Sequence, residues 1–137
     1  MGASINAKII LPVELTNFQA QSKGADVLLE WQTASETNNL GFEIENSIDG
    51  ETWNYLEFIR GAGNESIQQS YRYIDEDPEN GTNYYRLKQN DFDGIFDYSK
   101  VVSVSFRDET KEIKVSPNPI KFGKLTVILP FNLDGGL

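Results

Sequence analysis

The sequence predicts an all-β fold, an antiparallel β-sandwich of about seven strands. Segments in which apolar and polar residues alternate recur roughly every dozen residues along the chain. Turn residues (Gly, Asn and Asp) separate these segments. No segment has a capped helical pattern sustained over three turns. Together these observations favour a fold made of strands.

The predicted strands follow one another from residue 13 to residue 106. In chain order they cover 13–21, 27–33, 42–47, 53–60, 70–75, 83–89 and 95–106. Seven short strands with such turns are typical of a sandwich of immunoglobulin or fibronectin type III kind, and a barrel fits the same pattern.

The connections between these strands contain residues that favour turns. Asp49-Gly50 is a strong hairpin signal, and 91–94 (DFDG) is expected to form a second hairpin turn. The segments 34–41 (ASETNNLG) and 61–68 (GAGNESIQ) are predicted to be a polar connection and a loop.

Alternation along the strands also predicts the core. Val27, Leu29 and Trp31 share one face of a strand, and Trp31 is therefore expected to be buried. Alternation does not decide whether Tyr84 or Tyr85 forms a tyrosine corner, in which a hydroxyl bonds back to the upstream backbone. The predicted structural residues are Trp31, Phe42, Ile44, Tyr84, Tyr85 and Leu87.

Composition excludes several classes of function. The 137 residues include 21 acidic and 12 basic side chains, a formal net charge of −9, which disfavours nucleic acid and anionic membranes as partners. The chain has no Cys and no His, which excludes disulfides, thiolate nucleophiles, the usual zinc sites and Ser-His or Cys-His catalysis. We expect no enzyme activity and no cofactor.

Neither a membrane-spanning helix nor a signal peptide is visible in this sequence. No apolar run approaches the ~20 residues that a membrane-spanning helix needs. The first residues, MGAS, lack the basic start and long apolar centre of a signal peptide.

Acidic side chains suggest two further chemistries. Glu43 and Glu45 alternate with apolar residues on one strand, so they are expected to face water rather than a catalytic cleft. Oxygen-rich loops could hold Ca²⁺, although the hairpin turn alone accounts for one of the two clusters. The candidate calcium ligands are Asp75, Asp77, Asp91 and Asp93.

Two aromatic residues form a possible ligand platform. In strict alternation Trp53 and Tyr55 share one face, while Leu56 and Phe58 share the other. If the latter pair points inward, Trp53 and Tyr55 are exposed and could stack on the sugar rings of a glycan. The favoured interpretation is that Trp53 packs on the core where its strand begins.

Four segments of the chain resemble a module found in secreted Bacteroidetes proteins. They are LPVELTNFQA (11–20), VLLEWQTASETNNLGFEIENSIDGETW (27–53), GAGN (61–64) and NGTNYYRLKQNDFDGIFDYSKVVSV (80–104). That module is a fibronectin type III or immunoglobulin-like sandwich that lies just before the C-terminal sorting domain of the type IX secretion system. The resemblance covers about 11–107.

The segment VSPNPIKFGKLTVILP (115–130) resembles the start of that sorting domain. Pro117-Asn118-Pro119 would end strand pairing and form a stiff hinge, because proline cannot donate to a sheet. The resemblance thus implies a leader or linker at 1–10, a sandwich at 11–107, and a linker with the truncated start of a sorting domain at 108–137. We expect residues past about 112 to be mobile or to pack opportunistically.

The resemblance also implies a role and a location. We expect a non-catalytic spacer of a secreted or outer-membrane surface-attached bacterial protein. Its partners would be the upstream domains and, through the complete sorting domain, the type IX secretion machinery. The alternative is an accessory module that binds carbohydrate or protein, attached to a polysaccharide-degrading enzyme.

Overall fold

A computed structural model of the chain describes residues 13–110 and the backbone of two short strands beyond them. The strands are β1 (Val13–Lys23), β2 (Asp26–Ser47), β3 (Asn54–Glu65), β4 (Gln69–Asp75), β5 (Gly81–Asp91), β6 (Phe96–Tyr98), β7 (Val102–Phe106), β8 (Ile120–Phe122) and β9 (Leu125–Val127). Strands β1 to β7 are joined by antiparallel pairing, and β8 pairs with β9 in a separate sheet. The predicted all-β, antiparallel fold of about seven strands is confirmed.

Strand β2 is shared between both layers of the sandwich. Its residues 26–36 pair with β1 and β4, whereas residues 39–47 pair with β3 and β5; Glu36, next to the bend, also lies opposite Glu65 of β3. Between these two parts the strand bends at Asn38, whose φ of 58° lies in the left-handed region that asparagine tolerates. The bend lets Trp31 of the first part pack against Phe42 of the second, with ring centroids 5.5 Å apart.

The core lies between these two layers. Trp31 also contacts Phe18 edge-on at 6.2 Å and stacks on Tyr71 at 5.6 Å. The buried apolar cluster consists of Phe18, Val27, Leu29, Trp31, Phe42, Ile44, Tyr85, Leu87 and Phe106. Tyr84 is half-buried outside this cluster, because neighbouring residues of a strand point to opposite faces. The core therefore takes Tyr85 and not Tyr84.

Three predicted boundaries differ from the structure. The predicted polar connection at 34–41 is wrong, because these residues continue β2 and some of their polar side chains are buried. Strand β3 continues to Glu65, through much of the predicted loop at 61–68. The predicted last strand, 95–106, is divided into β6 and β7. At the break Ser99 N–H donates to the Leu87 carbonyl at 2.9 Å, and Leu87 N–H donates to Ser99 Oγ at 2.8 Å.

The ends of the sequence lie mostly outside the described residues. This applies to 1–12 and to Pro117-Asn118-Pro119, so the expectations for the leader, the hinge and the mobility past 112 are not addressed. In the part of the chain that the structure describes, no helix is long and apolar enough to cross a membrane.

Candidate functional site: the two ends of the sandwich

The two ends of the sandwich differ in chemistry, and each is defined by the connections that meet there. At the bend end β1 begins, with Val13 opposite Glu36, and the bend of β2 at 37–38 meets two connections, 66–68 and 92–95. At the acidic end Phe106 of β7 lies opposite Gly81. The connections there are 24–25, 48–53 and 76–80.

A buried carboxylate organises the bend end. Glu36 is only 3% exposed. Its Oε1 accepts hydrogen bonds from Asn39 Nδ2 and from the Ala62 N–H, both at 2.8 Å. Its Oε2 accepts from the hydroxyls of Thr33, at 2.8 Å, and Tyr71. The carboxylate is therefore bonded by four donors from different parts of the chain.

The pKa values of this cluster reflect burial and hydrogen bonding. Burial alone would raise the pKa of Glu36, but the bonds from Tyr71, Asn39, Ala62 and Thr33 together hold it below its ordinary value. Burial, and then the hydrogen bond to Glu36, raise the pKa of Tyr71. Glu36 is thus an anion that the fold stabilises and not a proton donor or acceptor set near neutral pH.

The network continues from Glu36 toward the β5–β6 hairpin. Gln89 Nε2 donates to Asn39 Oδ1 at 2.8 Å and to Asp91 Oδ1 at 2.9 Å. All three side chains are buried. The space is tightly fitted, since a Cβ at Gly61 would lie 2.4 Å from Asn39 Nδ2. The β5–β6 hairpin is therefore joined to an ordered network of buried polar side chains.

The acidic end carries charge on its surface. Five exposed acidic side chains lie in two of its connections: Asp49, Glu51, Glu76, Asp77 and Glu79. Asp49 Oδ1 accepts from the Glu51 and Thr52 N–H groups at 2.8 Å. Hydrogen bonds from Thr52, Glu51 and Ser47 lower the pKa of Asp49 to about 2. This carboxylate closes a local turn.

A second buried carboxylate lies behind the acidic end. Tyr85 Oη donates to Asp75 Oδ2 at 2.6 Å, and the Asp77 N–H donates to Asp75 Oδ1 at 3.1 Å. Burial and then the hydrogen bond to Asp75 raise the pKa of Tyr85. The hydroxyl of Tyr85 thus bonds to an upstream side chain, whereas a tyrosine corner bonds to the backbone.

The candidate calcium ligands do not come together. Asp75 is near the acidic end, whereas Asp91 and Asp93 are at the bend end, where Asp93 Oδ1 accepts from the Ile95 N–H at 3.0 Å. Among the described residues, no three Asp, Glu, His or Cys side chains are placed to hold a metal ion. The side chains of Asp75, Asp91 and Asp93 accept hydrogen bonds in turns or in the buried network.

The two residues of the predicted aromatic platform have different environments. Trp53 is half-buried, and Arg86 Cζ lies 4.3 Å from its ring centroid and 3.9 Å from that of Tyr98. Arg86 Nε also donates to Glu45 Oε1 at 2.7 Å. Tyr55, by contrast, is 59% exposed. The Trp53 ring therefore makes a cation–π contact with the Arg86 guanidinium, while Tyr55 is open to solvent.

A bulge in β3 explains why alternation fails on this strand. The register with β2 shifts between Ile44 and Glu45, so Leu56 has no cross-strand partner. Leu56 packs against the core and so does Ile59, three residues later. The inward pair is thus Leu56 and Ile59 rather than Leu56 and Phe58.

Two further places contain acidic side chains near a groove or on a strand face. Glu43 and Glu45 are engaged, since Glu43 Oε2 accepts from Asn90 Nδ2 at 3.2 Å and Glu45 is paired with Arg86. A cleft of about 370 Å³ opens between β1 and the β6–β7 connection, and its ionisable residues are Asp97, Tyr98 and Lys100. Neither place sets two carboxylates across a substrate-sized gap, as glycoside hydrolysis requires.

Sequence reasoning missed most of the buried polar network. The sequence pattern places Glu36 and Asn39 in a solvated connection and Gln89 in a strand without a special role. The signal that points to the network is a run of eight residues without a large apolar side chain, 32–39, between two strongly apolar strand segments. Asp91 is predicted as a calcium ligand and not as a member of the network.

Comparisons with known proteins bear on the fold alone. No protein-family model and no curated protein matches the chain. A crystal structure of pectate lyase Pel3 from Pectobacterium carotovorum matches 74% of this chain and 29% of its own, with a TM-score of 0.52 and 13% identity. A β-1,2-glucanase from Parabacteroides distasonis matches 71% of this chain and 13% of its own, with a TM-score of 0.49 and 22% identity. The chain thus spans less than a third of either protein.

Proposed function

We propose that this chain is a non-catalytic, rigid spacer module of a larger secreted or surface-attached protein. The observation behind the proposal is the path of the chain. It enters the described sandwich at the bend end, at Val13, and leaves it at the acidic end, at Phe106. Strand β5 runs from one end to the other over 11 residues, which corresponds to about 33 Å.

The way β2 is built favours rigidity in such a module. A single strand of 22 residues belongs to both layers, and Glu36 with its four donors locks the bend between them. Movement of one layer against the other would break buried hydrogen bonds, which is costly. A spacer of fixed length is the function that this construction suits.

The finer fold assignment belongs to the same proposal. We assign the sandwich to the immunoglobulin or fibronectin type III kind. The support is its division into one layer of β1, the first part of β2 and β4, and another of β3, the second part of β2, β5 and the edge strands β6 and β7. The proposed secretion context and the sorting domain rest on the sequence resemblance.

A catalytic or glycan-binding role has less support. The candidate carboxylates Glu43 and Glu45 bond to Asn90 and Arg86. The half-buried ring of Trp53 packs against Arg86, and only Tyr55 of the aromatic pair is 59% exposed. The structural likeness to a pectate lyase is too distant to add an activity to this chain.

Rigidity can be tested by a distance measurement. The chain has no cysteine, so Cys introduced at Ser66 and Glu79 labels the two ends selectively. Double electron–electron resonance between spin labels at these two positions should give one narrow distance distribution, unchanged from pH 6 to 8. A broad or bimodal distribution would contradict a rigid spacer.

The passive role can be tested in the parent protein. Deletion of 11–107, with the complete sorting domain retained, should leave export intact. Replacement of the same segment by an unrelated sandwich of equal length should restore the activity of the parent at the cell surface. Failure of export after deletion would show that the module is not a passive spacer.

A further inference from the structure

The bend end exposes a group of large apolar side chains. Ile67 is 67% exposed, Phe92 56% and Ile95 64%, and we call these three residues the apolar patch. Hydrogen bonds connect the hairpin with the bend of β2, and the bend with the end of β3 that leads into 66–68. The Phe92 N–H donates to the Asn38 carbonyl at 3.0 Å, and the Asn38 N–H donates to Asn64 Oδ1 at 2.8 Å. The patch thus belongs to one surface formed by neighbouring connections.

The patch is held by an ordered hairpin. The Asp91 N–H donates to the Ile95 carbonyl at 2.8 Å, and the Gly94 N–H donates to the Asp91 carbonyl at 3.0 Å. The side chain of Asp91 is fixed in turn by Gln89. Because the loop is already ordered, a partner that binds Phe92 and Ile95 would lose little conformational entropy. Exposed apolar side chains on a rigid turn are typical of a contact surface.

The low charge around the apolar patch and its place beside the start of β1 indicate which partner binds there. One charged residue, Asp93, occurs among the bend at 37–38 and the connections 66–68 and 92–95, although the whole chain has a net charge of −9. This end is also where β1 begins, so any domain that precedes the module in the polypeptide is tethered beside the patch. A tether provides an effective concentration of the order of millimolar, which makes a small apolar contact sufficient.

We propose that the apolar patch docks the preceding domain of the same polypeptide, against an apolar, weakly charged surface of that domain. Phe92 and Ile95 are the anchors. The proposal rests on the function proposed above, because it requires that the chain is a module of a longer protein. It adds that the module fixes the orientation of its upstream neighbour as well as the distance.

Hydrogen exchange tests this proposal. The 137-residue chain is compared with the longer polypeptide that includes the preceding domain. We expect the amides of 66–68 and 92–95 to exchange at least about tenfold more slowly in the longer polypeptide, since burial of two large apolar side chains supplies that much stabilisation. Equal exchange in the two proteins would overturn the proposal.

Matched variants identify the anchors. Phe92→Ser with Ile95→Ser in the longer polypeptide should return exchange at 66–68 to the rate of the 137-residue chain. Ile48→Ser, which changes a 62% exposed isoleucine at the acidic end, should leave that exchange slow. Loss of protection in the Ile48 variant alone would contradict the assignment of the surface.

A second copy of the chain is the competing occupant. If the 137-residue chain dimerises in sedimentation and Phe92→Ser with Ile95→Ser abolishes the dimer, the patch binds another copy and the proposal fails. The spin-label distance between Ser66 and Glu79 is measured in the monomeric 137-residue chain, so it reports rigidity whatever the patch binds. Failure of docking can therefore be told apart from failure of the spacer function.

Discussion

The two ends of the sandwich use carboxylates in opposite ways. At the bend end the important carboxylate, Glu36, is buried and bonded to four donors, and the surface above it is apolar. At the acidic end five carboxylates are exposed, and Asp49 mainly organises its own turn. A buried ion is costly unless its partners are complete. The bend end should therefore govern global stability, and the acidic end local order and solubility.

The largest expected effect is that of Glu36→Ala. This change leaves the Asn39, Ala62, Thr33 and Tyr71 donors without their acceptor, so the free energy of unfolding should fall by about 3 kcal/mol or more. Urea denaturation followed by tryptophan fluorescence measures the change.

The matched control is Glu36→Gln. The hydroxyls of Thr33 and Tyr71 can rotate to accept from the new amide, so the loss should be about 1 kcal/mol. Equal losses for the alanine and glutamine variants would show that an amide cannot take the place of the carboxylate in this network.

Tyr85→Phe tests the buried carboxylate behind the acidic end. Asp75 would lose the 2.6 Å bond from Tyr85 but would keep the one from the Asp77 N–H. We expect a loss of about 1–2 kcal/mol in the free energy of unfolding, smaller than that for Glu36→Ala. Tyr55→Phe, which removes an exposed hydroxyl, is the control and should be neutral. A loss in Tyr85→Phe that exceeds the Glu36→Ala loss would reverse the proposed order of the two ends.

Acid should weaken the bend end through Glu36. The pKa of this group is lower in the folded than in the unfolded chain, where it is about 4.5. Below about pH 5 the unfolded state therefore binds more protons, and stability falls as the pH falls through the folded pKa. The stability difference between the wild type and Glu36→Gln should shrink between about pH 5 and pH 3. A difference that is constant over this range would contradict the lowered pKa.

The smallest expected effect is that of Asp49→Ala at the acidic end. The variant loses the bonds to Glu51 and Thr52, which close an exposed turn. Amide exchange should accelerate at 50–52, while the unfolding midpoint changes less than in either buried-site variant. A global loss of stability equal to that of Tyr85→Phe would refute a purely local role.

Much of the fold could be predicted because it depends on local pattern. Alternation placed Val27, Leu29, Trp31, Phe42 and Ile44 on inward faces, where the structure has them. The same reasoning failed at β3, where the bulge at Leu56 shifts the phase of the strand. It also failed at 34–41, because eight largely polar residues read as a solvated loop unless the partners of Glu36 are known. Those partners lie up to 35 residues away in sequence.

Four properties can be read from the sequence alone: the all-β class, the positions of most strands, the core face of β2 and the lack of Cys and His chemistry. These properties follow from side-chain periodicity and from composition, which are local or additive. Three others depend on the three-dimensional fold: Glu36 is a buried anion, Trp53 stacks on Arg86, and Phe92, Ile95 and Ile67 share one end. Each of these depends on strand register and on the bend at Asn38, which bring distant residues together and which no single segment encodes.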